Sequence, residues 1–476
     1  MNVQSALAAP DTALHHLTVA QASALIRLRR LSPVELTRAF LARIEATQPR
    51  THAYIEVLAE RALAAAAAAE AEVMAGRWRG PLHGIPYAVK DNYHVAGVRT
   101  TGGSRLMLDH MATETATMIA RLDAAGAILL GKLNTWEYGT GTGEIYDDLP
   151  FPLARNPWDT DRFTGGSSTG AGVAVASGAA MFALGSDTGG SVRLPAAAAG
   201  VQGMKATYGR VSRAGILPNC WSCDIGGPLT WTVEDNALVL NAVAGHDPRD
   251  PQSAEVPVPD FAAGLRGGVA GLRLGVIRDF GDDAPPIQPE VAANFEAMVA
   301  ALADQGAEVV ELALPAPLSR YRQTLSCINW GESFSIHEAD FLERHHLMGR
   351  ALRDKMMAGA TLRAADYLAA QRMRRELALA TDAASRDCDA VLLPCTALTA
   401  PGFDDQEKLV RFTFGAMCSI HSVTGHPAMS IATGFDADGM PTAAQIAGRH
   451  FDEAAVYRVA AAYERAADPR SRRPAL

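Results

Sequence analysis

The sequence opens without the marks of a secretory leader: its first positive side chain is Arg27, and no apolar core follows Met1. Long hydrophobic runs are also missing. The most apolar stretch, residues 171–185, is too short and too rich in glycine and serine to cross a bilayer. These two absences imply a cytoplasmic protein with no membrane partner. Cysteine is scarce, with six in 476 residues: Cys220, Cys223, Cys327, Cys388, Cys395 and Cys418. Without a leader they are expected to be reduced thiols. Cys220 and Cys223 have C-x-x-C spacing, but a zinc site needs a second pair, and none exists. Packing or pocket lining is the better reading. His337-Glu338 lacks the second histidine of a zinc-protease helix and reads as surface helix, His345-His346 reads as solvated, and no complete metal-ligand cluster appears. No cofactor is implied. Positive charge is in deficit, with a formal net charge of -9, which argues against a general nucleic-acid binder. No internal repeat is present.

What remains is ample for a large core: 48% hydrophobic and 20% charged residues. The pattern is α/β. Ser32-Pro33-Val34-Glu35 caps a helix running to about Ala46. Residues 61–75, dominated by alanine, read as a solvated helix. Residues 114–125 and 232–244 read as helices closed by Gly126 and Gly245. Residues 127–130 read as a strand, and 171–185 as one buried helix. Residues 247–268 form a long loop. Beyond it, 272–277, 289–305 and 308–312 give strand, helix and strand; 362–384 is a long helix and 390–393 a buried strand.

The most informative stretch is residues 165–195, GGSSTGAGVAVASGAAMFALGSDTGGSVRLP. Two Gly-Gly-Ser corners, at Gly165-Gly166-Ser167 and Gly189-Gly190-Ser191, bracket small apolar residues. A serine after a glycine turn presents its hydroxyl and nearby N–H groups to one point, which acyl transfer requires. The stretch holds no histidine, and no Gly-x-Ser-x-Gly elbow is present. The remaining base is a lysine whose pKa falls on desolvation. Lys90 fits, because it ends the apolar run Ile85-Pro86-Tyr87-Ala88-Val89 and precedes the turn Asp91-Asn92.

With these motifs the chain resembles the amidase signature family of serine hydrolases, from about Leu17 to Glu464. The resemblance rests on GIPYAVKDN around Lys90, RNPWD at Arg155 to Asp159, residues 165–195, and MKATYGRVSRAGILP from Met204. It implies one large α/β/α domain, residues 76–476, with a central mixed, twisted sheet covered by helices on both faces; residues 1–75 would be an N-terminal helical segment packed on it. It implies a Ser–cis-Ser–Lys triad: Ser191 as nucleophile, Ser167 as bridging serine with a cis peptide bond, Lys90 as general base. The N–H groups of Thr188, Gly189, Gly190 and Ser191 would form the oxyanion hole. Ser168, Asp187 and Arg193 would support the site. The acyl pocket is expected near Trp136, Tyr138, Cys220 and Trp221, with Trp221 and Trp330 the weaker candidates; His421 and His426 are expected to be structural. Three positions depart from the family: Thr169 replaces glycine or serine, Ala199 a frequent cysteine, and Ala206 the proline of LKPTYG. These touch loop rigidity and pocket shape, not the triad.

The implied activity is hydrolysis of the C–N bond of amides or related carbonyl compounds (carbamates, anilides, esters) through an acyl-enzyme on Ser191, with a small-molecule substrate and, by family analogy, a homodimer. The alternative is the amidase subunit of a tRNA-dependent glutamine amidotransferase. That subunit type usually carries MDEFAMGSS where this chain has LNTWEYGTG, followed by EIYDDLPFPLARNPWD. A non-catalytic binding relative is a third reading, disfavoured by the intact Lys90, Ser167 and Ser191.

Overall fold

The computed structural model describes residues 13–141, 147–467 and 472–476. Eleven strands form one mixed sheet: β1 Tyr54–Val57, β2 Pro86–Lys90, β3 Ile128–Leu133, β4 Phe182–Asp187, β5 Gln202–Lys205, β6 Ile225–Thr230, β7 Arg273–Val276, β8 Glu308–Glu311, β9 Ala390–Pro394, β10 Ala428–Phe435 and β11 Pro441–Ala447. Their order is β1-β3-β2-β4-β6-β5-β10-β11-β9-β7-β8. β2 runs parallel to both β3 and β4, and β7 to both β8 and β9; the remaining neighbours are antiparallel.

The central strands are buried at every residue, because helices cover both faces. Thr169–Ala176 packs on β2, β3, β4 and β6, beside Arg193–Ala199, which lies on β5, β10 and β11. Pro289–Ala303 and Glu453–Ala467 pack together on β10 and β11, and Val233–Val243 joins Glu453–Ala467 over β5 and β6. The result is the α/β/α fold that the resemblance implies.

Local chemistry explains the element starts. The Ser32 hydroxyl accepts the N–H groups of Val34 and Glu35, with Pro33 first in the helix Pro33–Thr51. Thr232 likewise caps Val233–Val243 by accepting Asp235 N–H. The first 75 residues contribute more than helices, since β1 pairs with β3 at the sheet edge. The run 171–185 is not one helix. It ends at Ala176, turns through Gly178 at φ 72, and resumes as β4. Its uniform burial hid the break, because a buried helix and a buried strand look alike in apolar content. Among the described residues no helix is long and apolar enough to cross a membrane.

The carboxyl ends of the parallel strands β3, β2 and β4 lie at one edge of the sheet. β6, antiparallel to β4, brings the loop before Ile225 to the same edge. Residues 90–92, 134–140, 186–193 and 218–224 therefore converge there, outside the strand ends where open α/β sheets place their ligands.

Candidate active site

Lys90 ends β2 and is fully buried. Its Nζ lies 2.7 Å from Ser167 Oγ and 2.9 Å from Ser186 Oγ, within hydrogen-bond distance of both. Asn92 Nδ2 donates to Ser186 Oγ at 3.0 Å. Burial pulls the Lys90 pKa down to about 7; the charges of Asp224 and Asp187 oppose the shift without cancelling it. The turn after Lys90 is fixed by a buried ion pair, Lys132 to Asp91 at 2.6 Å, and by Thr101 N–H on Asp91.

The peptide bond before Ser167 is cis. Gly166 must be glycine, because a Cβ there would lie 2.3 Å from the Trp136 ring. Ser168 clamps the end of β4, its Oγ donating to Ser186 C=O at 3.2 Å and accepting Ser186 N–H at 3.3 Å. The Ser168 N–H donates to Ser191 C=O at 3.3 Å, which holds the second glycine corner beside the first.

Asp187 organises that second corner. Its carboxylate accepts N–H groups from Gly190 at 2.8 Å and Val192 at 3.1 Å, and pairs with the Arg193 guanidinium at 2.9 and 3.0 Å. Arg193 also reaches Cys418 C=O, Gln445 Oε1 and Ser422 Oγ. Burial pushes the Asp187 carboxyl up, but Arg193 outweighs it and holds the carboxyl below its ordinary value. Both side chains have no exposure. Replacing Asp187 with alanine leaves a buried guanidinium unpaired, and chemical denaturation should show a loss of about 3–5 kcal/mol. A loss below about 1 kcal/mol, the range of surface pairs, would contradict this reading.

One expectation about this turn needs correction. The Gly190 N–H is bonded to Asp187 and does not face the cavity described next. Gly190 has φ +129, and a Cβ there would lie 2.8 Å from Cys418 Cβ, so its role is conformational. The N–H groups of Thr188, Gly189 and Ser191 take no part in the Asp187 cluster.

Ser191, Thr188, Gly189 and Gly166 line a cavity of 290 Å³. Its apolar wall includes Trp136, Leu194, Leu325, Trp330, Ala351 and Phe414. Its polar lining includes Lys355, Asn219, Thr140, Asn329, Arg322 and Asp354; Lys355 Nζ donates to Asn219 Oδ1 at 2.6 Å and to Thr140 Oγ1 at 3.3 Å. Burial pulls the Lys355 pKa down to about 8. Asp224, whose carboxyl burial raises, accepts Thr188 Oγ1–H at 2.6 Å and the N–H groups of Asn219 and Cys220. It locks the loop before β6 onto the turn of Ser191.

The expected pocket residues divide. Trp136 and Trp330 line this cavity. Tyr138 and Trp221 line a neighbouring cavity of 610 Å³ that shares only Gly139, Thr188 and Asn219 with the first. The cause is local geometry: Tyr138 sits at φ 46, and its ring packs on His337 at 4.4 Å, away from Trp136. Cys220 lines neither cavity, since its thiol points to Glu332 Oε2 at 3.2 Å. His337, expected on a surface, is buried. His421 and His426 are buried in the core, while His345 and His346 are exposed.

Lys355 was not anticipated. The signal was present, because Leu352, Lys355, Met356 and Gly359 are the buried face of the helix Arg350–Ala360, at i, i+3, i+4 and i+7. A lysine inside an apolar stripe is the cue.

A family model described as Amidase matches residues 35–457. The chain belongs to the amidase signature family. It is 38% identical to a glutamyl-tRNA(Gln) amidotransferase subunit of Chloroflexus aggregans, covering 98% of this chain and 99% of that protein. A solved bacterial aryl acylamidase of the same family superposes with TM-score 0.87 at 27% identity, over 96% of this chain and 97% of the other. The corresponding glutamyl-tRNA(Gln) amidotransferase subunit of Thermotoga maritima gives TM-score 0.78 at 30% identity, over 96% of each chain. This amidase is thus a hydrolase acting on C–N bonds.

Proposed function

We propose that this amidase works alone on small amides through an acyl-enzyme on Ser191. The observation that carries the reading is the buried Lys90–Ser167 contact of 2.7 Å lying behind a cavity lined by Ser191. Neutral Lys90 gives an N–H to Ser186 and directs its lone pair at Ser167. Ser167 passes the Ser191 proton to Lys90 as Ser191 Oγ attacks the carbonyl carbon. The N–H groups of Thr188, Gly189 and Ser191 receive the oxyanion. The proton returns through Ser167 to the departing nitrogen as the C–N bond breaks. Water then attacks the ester with the same base, releasing the acid and restoring Ser191. Asp187, Arg193 and Ser168 hold the two corners.

The cavity suits an acyl group with an apolar body against Trp136 and Leu194 and an acceptor facing Lys355. A carboxylate is the best match, because among the described residues Lys355 is hydrogen-bonded to an amide and a hydroxyl and gains most from an anion, with Arg322 on the same lining favouring that charge and Asp354 opposing it. Lys355→Met should raise KM for carboxylate-bearing amides about 10- to 100-fold while sparing neutral ones, as a lost charged hydrogen bond of about 1.5–3 kcal/mol implies. Equal loss on both classes, read in steady-state kinetics, would remove Lys355 from recognition.

The second reading, a component of an amidotransferase, is favoured by the 38% identity to the Chloroflexus aggregans protein. Support for a stand-alone enzyme comes from the higher TM-score with the aryl acylamidase, 0.87 against 0.78, and from Trp136 in the cavity wall. Part of the distinctive stretch after Gly141, residues 142–146, lies outside the described residues. A cytoplasmic location is consistent with six free thiols. The purified chain should turn over members of a panel of aliphatic and aryl amides, carbamates and esters unaided. Glutamine turnover that requires an added partner protein, with no other activity, would favour the amidotransferase.

A further inference from the structure

A second group of chemistry-bearing side chains lies outside the cavity. Asp382, near the end of the helix Ala364–Ser385, His426, just before β10, and His450, just after β11, place their ligand atoms within 4.8 Å of one another. Sequence spacing gave no hint of this set, because the three residues come from separate segments.

Hydrogen bonding fixes the central ring. Thr424 Oγ1 lies 3.0 Å from the C=O of Ile420, which can only accept, so the single hydroxyl proton is used there. Thr424 Oγ1 also lies 2.8 Å from His426 Nδ1, and with its proton committed it accepts from Nδ1–H. The neutral ring then carries its lone pair on Nε2. That nitrogen faces Asp382 Oδ1 at 2.8 Å, a second electron-rich atom. An imidazole lone pair and a carboxylate oxygen turned toward one point are the donor types a transition-metal ion takes. The His450 ring stacks on His426 with centroids 4.0 Å apart and offers a third donor from the solvent side.

We infer that Asp382, His426 and His450 form a binding site for a divalent transition-metal ion of the zinc class. Two imidazoles and one carboxylate are its usual protein donors, and solvent would complete the coordination. The Nδ1–H to Thr424 bond is the kind of outer contact that fixes a ligating histidine in its tautomer. The ion would tie a surface helix to the ends of two adjacent strands. It is structural, since hydrolysis at Ser191 proceeds through Lys90 and Ser167.

The test uses full-length protein freed of metal by chelation and desalting, then titrated with ZnCl₂ by calorimetry and in thermal melts. One Zn²⁺ should bind per chain and raise Tm by several degrees, as binding to the native state alone requires. Asp382→Asn and His450→Ala, both at accessible positions, should each weaken zinc binding about tenfold or more while leaving amide turnover intact. Nitrogen-15 NMR should show His426 protonated at Nδ1, with Nε2 shifting on zinc addition. Absence of binding, binding unchanged in both variants, or an Nε2–H tautomer that zinc does not alter would each overturn the site.

Discussion

Ser191→Ala should abolish amide turnover, with kcat/KM falling by at least about 10⁴-fold, the scale seen when a serine hydrolase loses its nucleophile. The expectation rests on position. Ser191 is half-buried at the cavity wall, on a turn held rigid by Asp187, beside N–H groups that the Asp187 cluster leaves unused. The substitution removes one oxygen from an accommodating surface, so the fold should persist. The check is steady-state kinetics on any amide the wild type accepts, with a thermal melt alongside. Retention of a tenth of the activity would mean that another group attacks the carbonyl.

Lys90→Met should cost about 10³-fold or more in kcat, within the range for loss of a positioned general base. Wild-type activity should rise with pH along a limb near 7, because the base is the neutral amine and its pKa is pulled down to about 7 by burial. The sign for stability is opposite to that of an ordinary ion pair. The folded-state pKa lies below the unfolded value of about 10.4, so between these values the unfolded chain binds more protons. The cost of burying Lys90 is therefore complete below pH 7 and fades as pH rises toward the unfolded value. Lys90→Met escapes that cost and should melt no lower than wild type near neutrality. An inactive variant that is also unfolded, or an active one with an unchanged pH profile, would contradict the assignment.

These residues were legible because each sits inside a compact motif. Lys90 ends a continuous apolar strand and is followed by a turn. Ser167 and Ser191 each follow paired glycines, and only glycine fits Gly166 against Trp136 and Gly190 against Cys418. Helix starts at Ser32 and Thr232 were equally local. Features set by tertiary approach were not legible. Trp136 and Tyr138 are two residues apart, yet a left-handed backbone at Tyr138 sends them to different cavities. The Gly190 N–H looked free in sequence because its acceptor, Asp187, bends back only once the turn has formed. Lys355 enters from a helix more than 160 residues beyond Ser191, and its only local cue is its place in an apolar stripe. The break at Gly178 was masked because small apolar residues serve both the helix before it and the strand after it. Asp382, His426 and His450 share no spacing rule, since strand order alone brings them together.

The most direct measurement is active-site labelling with a fluorophosphonate followed by peptide mapping by mass spectrometry. The account predicts a single stoichiometric adduct, on Ser191, absent in Ser191→Ala and formed far more slowly in Lys90→Met. An adduct on any other residue of the wild-type enzyme, or undiminished labelling in Ser191→Ala, would contradict it.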